Sequence, residues 1–192
     1  SDLCLDNLSG AYFGPHPLGR TILGPRSNVA RFTSGDLREY IGRNYAADST
    51  VVTVVGNVEF ERAKDVAAKY FYGRMDKKGR DWKDKPALPH MGYSYTEKPE
   101  LEQSHVGIAV PALPYKHEKD AVLAVVNAVL GGNMSSRLFQ EVREKQGLAY
   151  SVFSAPSTYI NNGYLCVYAG VNPSNAQKAV KTIANLLKGL KD

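Results

Sequence analysis

At 192 residues with 43% hydrophobic side chains, the chain is long enough for one sizeable domain or two small ones and lies outside the disordered class. Its net charge of +5 is mild, and the basic residues are spread over several segments without interleaved aromatics, which argues against a nucleic-acid partner. No run of about eighteen apolar residues occurs, so a membrane-spanning helix is excluded, and the opening SDLCLDNLSG has neither the charged nor the long apolar region of a signal peptide.

In chain order, the first residues read as the end of a helix, followed by YFGPHPLGRTILGP over Tyr12 to Pro25, where glycine and proline impose irregular backbone. His16 sits in this loop with no second histidine or carboxylate at metal spacing, so it reads as a packing or surface residue. Thr33-Ser34-Gly35-Asp36 is an N-cap with an acid in the first turn, and Leu37, Tyr40, Ile41 and Tyr45 form an apolar stripe, which predicts a helix over 34–45. The β-branched run Thr50 to Val55 reads as a buried strand ending at Gly56. Another helix begins at Asn57 or Glu59, with Phe60, Ala63, Val66, Ala67, Tyr70 and Phe71 repeating at three and four.

From Gly73 to Pro89 the chain is rich in charge, glycine and proline and has no periodicity, which marks a linker and a domain boundary. Tyr93 to Glu97 and Ser104 to Val110 alternate as two strands joined near Pro99-Glu100. His105 reads as a structural strand residue. His117-Glu118 lacks the second histidine of H-E-x-x-H, because position 121 is alanine, and H-x-x-E-H is absent throughout. Asp120 to Leu130 is so uniformly apolar that a helix buried on most sides is expected. Strands follow at about 150–155 and 163–171, then a helix over 173–190 opened by Pro173. Cys4 and Cys166 have no CxxC spacing and are expected as free thiols.

The most specific stretch is LGGNMSSRLFQEVREKQGLAY, Leu130 to Tyr150. Gly131 and Gly132 end one helix, Asn133 with Ser135 or Ser136 caps the next, and Gly147 lets the chain leave it. A helix over 136–146 places Leu138, Phe139, Val142 and Gln146 on one face. Arg143 in its last turn then lies near Tyr150 at the strand mouth. Two donors at one corner can grip a peptide carbonyl or an oxyanion; equally, the arginine can serve the helix C-terminus and the tyrosine the core.

This stretch, with V-V-T-V-V-G-N-V and G-P-H-P-L-G-R upstream and E-Q-S-H opening the strand at 104–110, resembles the inverted-zincin metallopeptidases, the family of the mitochondrial processing peptidase, bacterial processing proteases and, more distantly, pitrilysin. The resemblance implies an α+β fold, a mixed, mainly antiparallel sheet with helices packed on one face. It implies that residues 1–72 are the C-terminal part of a first module, 73–89 the inter-module linker and 90–192 the N-terminal part of a second. Arg143 and Tyr150 match the substrate-binding pair of that second module. The family's zinc ligands and water-activating glutamate have no counterpart here, so the resemblance implies zinc in a longer parent, no metal ligands and no catalytic residues in this chain, and a peptide or protein substrate. It also implies a partner module or a homo- or heterodimer. The alternative is a non-catalytic structural or partner subunit, since relatives exist that keep the fold and lose the zinc motif. The compartment stays open between bacterial cytoplasm, periplasm and mitochondrial matrix. Because the apolar strand 50–55 needs a partner edge, a single five-stranded sheet built across the linker is expected, or the same pairing exchanged between two chains.

Overall fold

The computed structural model describes residues 2–73, 75 and 88–191. In chain order these form α1 (Asp2–Phe13), α2 (Arg26–Arg31), α3 (Ser34–Asn44), α4 (Phe60–Phe71), β1 (Ser104–Ala112), α5 (Asp120–Leu130), a π-helical segment (Phe139–Lys145), β2 (Ala149–Tyr159), β3 (Asn162–Val171) and α6 (Ala176–Lys188), with short 3-10 turns between them. By contact the chain divides into two units, one of Ser1–Leu23 with Lys85–Asp192 and the other of Gly24–Asp84.

In the first unit the strands lie in the order β1-β3-β2, and both pairings are antiparallel. β3 is central, so its side chains are buried in both directions. Leu165, Val167, Ala169 and Val171 join a core with Leu130, Leu138, Val142, Val152, Ala179 and Ile183. Tyr164, Cys166 and Tyr168 join Tyr12 and Phe13 in a second cluster. Alternation along a strand puts these two sets on opposite faces. The α+β class holds, with α5, the π-helical segment and α6 gathered on one face. A single further helix, α1, covers the other face and is pinned by Tyr12 Oη donating to the Gly163 carbonyl at 3.2 Å and by Ser9 Oγ lying 2.8 Å from Tyr164 Oη.

α6 follows from its sequence. Asn172 accepts from the Ser174 amide at 3.0 Å, Pro173 occupies the first turn, and Ala179 and Ile183, four apart, meet the sheet with no exposed surface.

The second unit contains α2, α3 and α4. α3 starts at a reciprocal capping box: the Asp36 amide donates to Thr33 Oγ1 at 3.2 Å and the Thr33 amide to Asp36 Oδ2 at 2.8 Å. The hydrogen bonds from Thr33 hold the Asp36 carboxyl below its ordinary range. Ala46 is the only buried hydrophobic residue among those described in this unit. α4 turns Ala63, Val66, Ala67, Tyr70 and Phe71 toward Val52, Val54 and Val58, leaving an apolar groove of about 250 Å³.

Three expectations are corrected. Among the described residues, 50–55 have no β-partner and the sheet has three strands rather than five. Val51 and Val55 are 90% and 92% exposed. β-propensity describes a side chain that suits a sheet, and with no edge alongside the run stays extended and unpaired. Tyr93 to Glu97 likewise forms no strand; the chain there is tied to the end of α1, the His90 amide donating to the Tyr12 carbonyl at 2.6 Å and the Gly92 amide to that of Ala11 at 2.8 Å. α5 is buried only along Leu123 and Leu130, while Val122, Val125 and Val129 are exposed, because the sheet accepts one stripe of the helix and nothing among the described residues covers the rest. The expected linker over 73–89 lies mostly outside the described residues.

Candidate functional site

The corner carrying Arg143 and Tyr150 is built from a glycine turn. After α5 the chain reverses at Gly131, where an added Cβ would come within 2.5 Å of the Ser154 amide nitrogen and 2.7 Å of Leu138 Cδ1. Only glycine lets α5 approach β2 this closely. The Ser154 amide donates to the Gly131 carbonyl at 3.1 Å and Ser154 Oγ to Asn127 Oδ1 at 2.8 Å, which locks helix end to strand. Asn133 Oδ1 then accepts from the Ser135 amide at 2.8 Å and the buried Ser136 Oγ from Phe139 at 3.4 Å, as the capping pattern predicts.

The helix that follows is π-wound over Phe139–Lys145. Leu138 and Val142, both 0% exposed, fix it to the sheet core. It closes with the Gly147 amide donating to the Arg143 carbonyl at 3.1 Å and the Leu148 amide to the Val142 carbonyl at 2.9 Å. Gly147 has φ 58°, the left-handed turn expected of it. Such local rewinding recurs at functional sites.

Tyr150 is placed by a β-bulge. Ala149 pairs with Val171 and Ser151 with Gly170, so the register shifts between them and Tyr150 is the extra residue. Ala149 and Val152, three apart, consequently both face the core, which a regular strand of period two forbids. Tyr150 is thrown outward and is 76% exposed.

The two side chains meet as the spacing predicts. The guanidinium carbon of Arg143 lies 5.4 Å from the Tyr150 ring centroid and 4.7 Å from that of Phe139. Arg143 Nε also lies 3.6 Å from Glu144 Oε1, an exposed ion pair worth little in itself. Among the described residues Nη1 and Nη2 make no hydrogen bond, so the corner presents guanidinium N–H groups beside an exposed phenol. Donors so arranged are chemically suited to a carbonyl, carboxylate or oxyanion. Phe139, which helical spacing groups on one face with Leu138 and Val142, is half-buried against Arg143. The bulge was legible only in the close succession Leu148, Ala149 and Val152.

The residues do not fit a resident zinc ion. Among the described residues no three His, Cys, Asp or Glu side chains are placed to hold a metal. His16 Nδ1 accepts from the Leu18 amide at 3.2 Å and His117 Nδ1 from that of Lys119 at 3.1 Å, while His105 Nδ1 lies 2.7 Å from Tyr168 Oη. Burial lowers the pKa of His105. Cys4 donates to the His105 carbonyl at 3.6 Å, and both cysteines are thiols. Burial, with Cys4 close by, pushes Cys166 up to about 11, so neither the chemistry nor the position of that thiol suits a nucleophile. Among the described residues no helix is long and apolar enough to cross a membrane.

Comparison with known proteins shows the family to which the chain belongs. The family described as "Peptidase M16 inactive domain" matches residues 31–192. An uncharacterized zinc protease of Bacillus subtilis, YmxG, is 40% identical over 191 residues, covering 99% of this chain and 46% of that protein. An uncharacterized zinc protease of Streptomyces coelicolor is 36% identical over 94% of the chain and 40% of its own length. The chain thus spans about half the length of the curated relatives it matches. Among solved structures, the M16 inactive domain from Pseudomonas fluorescens superposes with a TM-score of 0.79 at 21% identity, over 97% of this chain and 45% of that one. A protease from Helicobacter pylori gives 0.81 at 21% identity, over 98% and 47%. On this family match and these relatives, the chain belongs to the M16 peptidase family.

Proposed function

We propose that the protein carrying this chain is a zinc-dependent endopeptidase that encloses extended peptides between two modules, and that this chain supplies part of the substrate-gripping side. The observation that carries the reading is the convergence of the Arg143 Nη groups and the Tyr150 phenol, free to donate, on a corner fixed by a closed core. Relatives named zinc proteases support zinc in the whole protein, held by ligands other than the described residues of this chain. In this reading residues 1–72 end the first module, 73–89 cross to the second, and 90–192 begin it. Zinc, when bound, supplies Lewis acidity and an activated water. Arg143 and Tyr150 donate to the scissile carbonyl oxygen and hold it as negative charge develops, without accepting a proton.

In the whole protein, Arg143→Ala and Tyr150→Phe each lower peptide turnover by about 10²-fold while zinc content and melting temperature stay unchanged. Near-normal turnover in both variants contradicts the role and favours a non-catalytic partner subunit. This chain on its own takes up no stoichiometric zinc and cleaves no peptide; one tightly bound zinc per chain by metal analysis would contradict that.

A further inference from the structure

We propose that Phe139 is a positioning residue for Arg143, its ring and that of Tyr150 forming a clamp that holds the guanidinium so that only its outer N–H edge meets a ligand. Phe139 lies one turn before Arg143, and the guanidinium carbon stands over its ring at 4.7 Å and over the Tyr150 ring at 5.4 Å.

Three features make this more than a chance contact. Phe139 takes no place in the core cluster to which its neighbours Leu138 and Val142 belong. Tyr150 reaches the cation only because the bulge ejects it. Glu144 engages Nε at 3.6 Å, which leaves Nη1 and Nη2 as the free edge. A guanidinium stacked on aromatic faces keeps its in-plane N–H groups available while losing rotational freedom. The clamp therefore selects a planar acceptor approached edge-on, a peptide carbonyl or a carboxylate, over a ligand that would stack on the cation. An arginine free to swing would lose much of this preorganisation.

The test uses Phe139→Leu, which keeps apolar volume and removes the ring, and Phe139→Tyr, which keeps both. In this chain, the Arg143 Nε–Hε resonance moves away from its ring-shifted position and the side chain gains mobility in Phe139→Leu, whereas Phe139→Tyr retains both signatures. In the whole protein, an arm that rests on the peptidase reading, Phe139→Leu lowers kcat/KM by about three- to ten-fold, Phe139→Tyr does not, and Phe139→Leu costs nothing further in an Arg143→Ala background. An unmoved Arg143 resonance, or the same loss with and without Arg143, overturns the clamp. If Arg143→Ala itself leaves turnover intact, the peptidase reading fails, and the resonance still decides the clamp.

Discussion

The two units of this chain use similar sequence patterns with opposite results. In the unit of Ser1–Leu23 and Lys85–Asp192, α6 presents Ala179 and Ile183, β3 presents residues of both parities, and every one of these side chains finds cover. In Gly24–Asp84, α4 carries an apolar stripe as regular as that of α6, and Val51 to Val55 is as β-branched as any strand here, yet Val66, Tyr70 and Val54 remain about half exposed or more. Amphipathic pattern specifies what an element needs, while burial depends on whether the chain brings it a partner. The Arg143–Tyr150 corner belongs to the unit whose core is closed.

The difference is sharpened most by truncation of core side chains. Ile183→Ala and Leu138→Ala, at sites with no exposed surface, are expected to cost about 2–5 kcal/mol in urea unfolding, whereas Val54→Ala or Tyr70→Ala cost at most about 0.5 kcal/mol. Equal costs in both units would break the contrast. Gly131→Ala comes next. The added methyl would meet Ser154 and Leu138 at 2.5–2.7 Å, so a loss of about 1–3 kcal/mol is expected, together with displacement of the Arg143 corner seen as shifts of its backbone amides.

Cys166 gives a smaller effect with a defined sign. Its folded pKa is raised, by burial first and by Cys4 second, from 9.0 to about 11. The folded state then holds the proton more tightly than the unfolded state. The stabilisation is complete below pH 9 and is lost as pH rises toward 11. Cys166→Ala should flatten that decline, and at neutral pH the native thiol should react with alkylating reagents far more slowly than in the unfolded chain. The most local change is Thr33→Ala, which removes one side of the α3 capping box and should cost about 1 kcal/mol of local helix stability, read as lost helicity without a shift in unfolding of the sheet unit.

Local chemistry made much of this readable beforehand. The Thr33–Asp36 cap, the left-handed Gly147, the Pro173 start and the meeting of Arg143 with Tyr150 are each set by residues within a few positions of one another. What escaped the sequence depends on distant partners. Residues 50–55 and 93–97 have strand composition but no adjoining edge, and α5 has apolar residues around its whole circumference but only one face in contact. The bulge at Tyr150 arises because Ala149 and Val152, three apart, must both reach one core, a demand no local propensity expresses. Helical spacing groups Phe139 with Leu138 and Val142, and only the folded chain shows the cation beside it.

Hydrogen exchange on the isolated chain tests most directly whether the donor corner rests on a closed core while residues 51–55 do not. The Leu148 amide, bonded to the Val142 carbonyl at 2.9 Å beside the fully buried Val142, and the amides of residues 165–169 in central β3 should be protected by several orders of magnitude. Amides of 51–55, which have no β-partner, should exchange close to the rate of an unstructured peptide. Protection of 51–55 equal to that of β3, or rapid exchange at Leu148, would contradict the account.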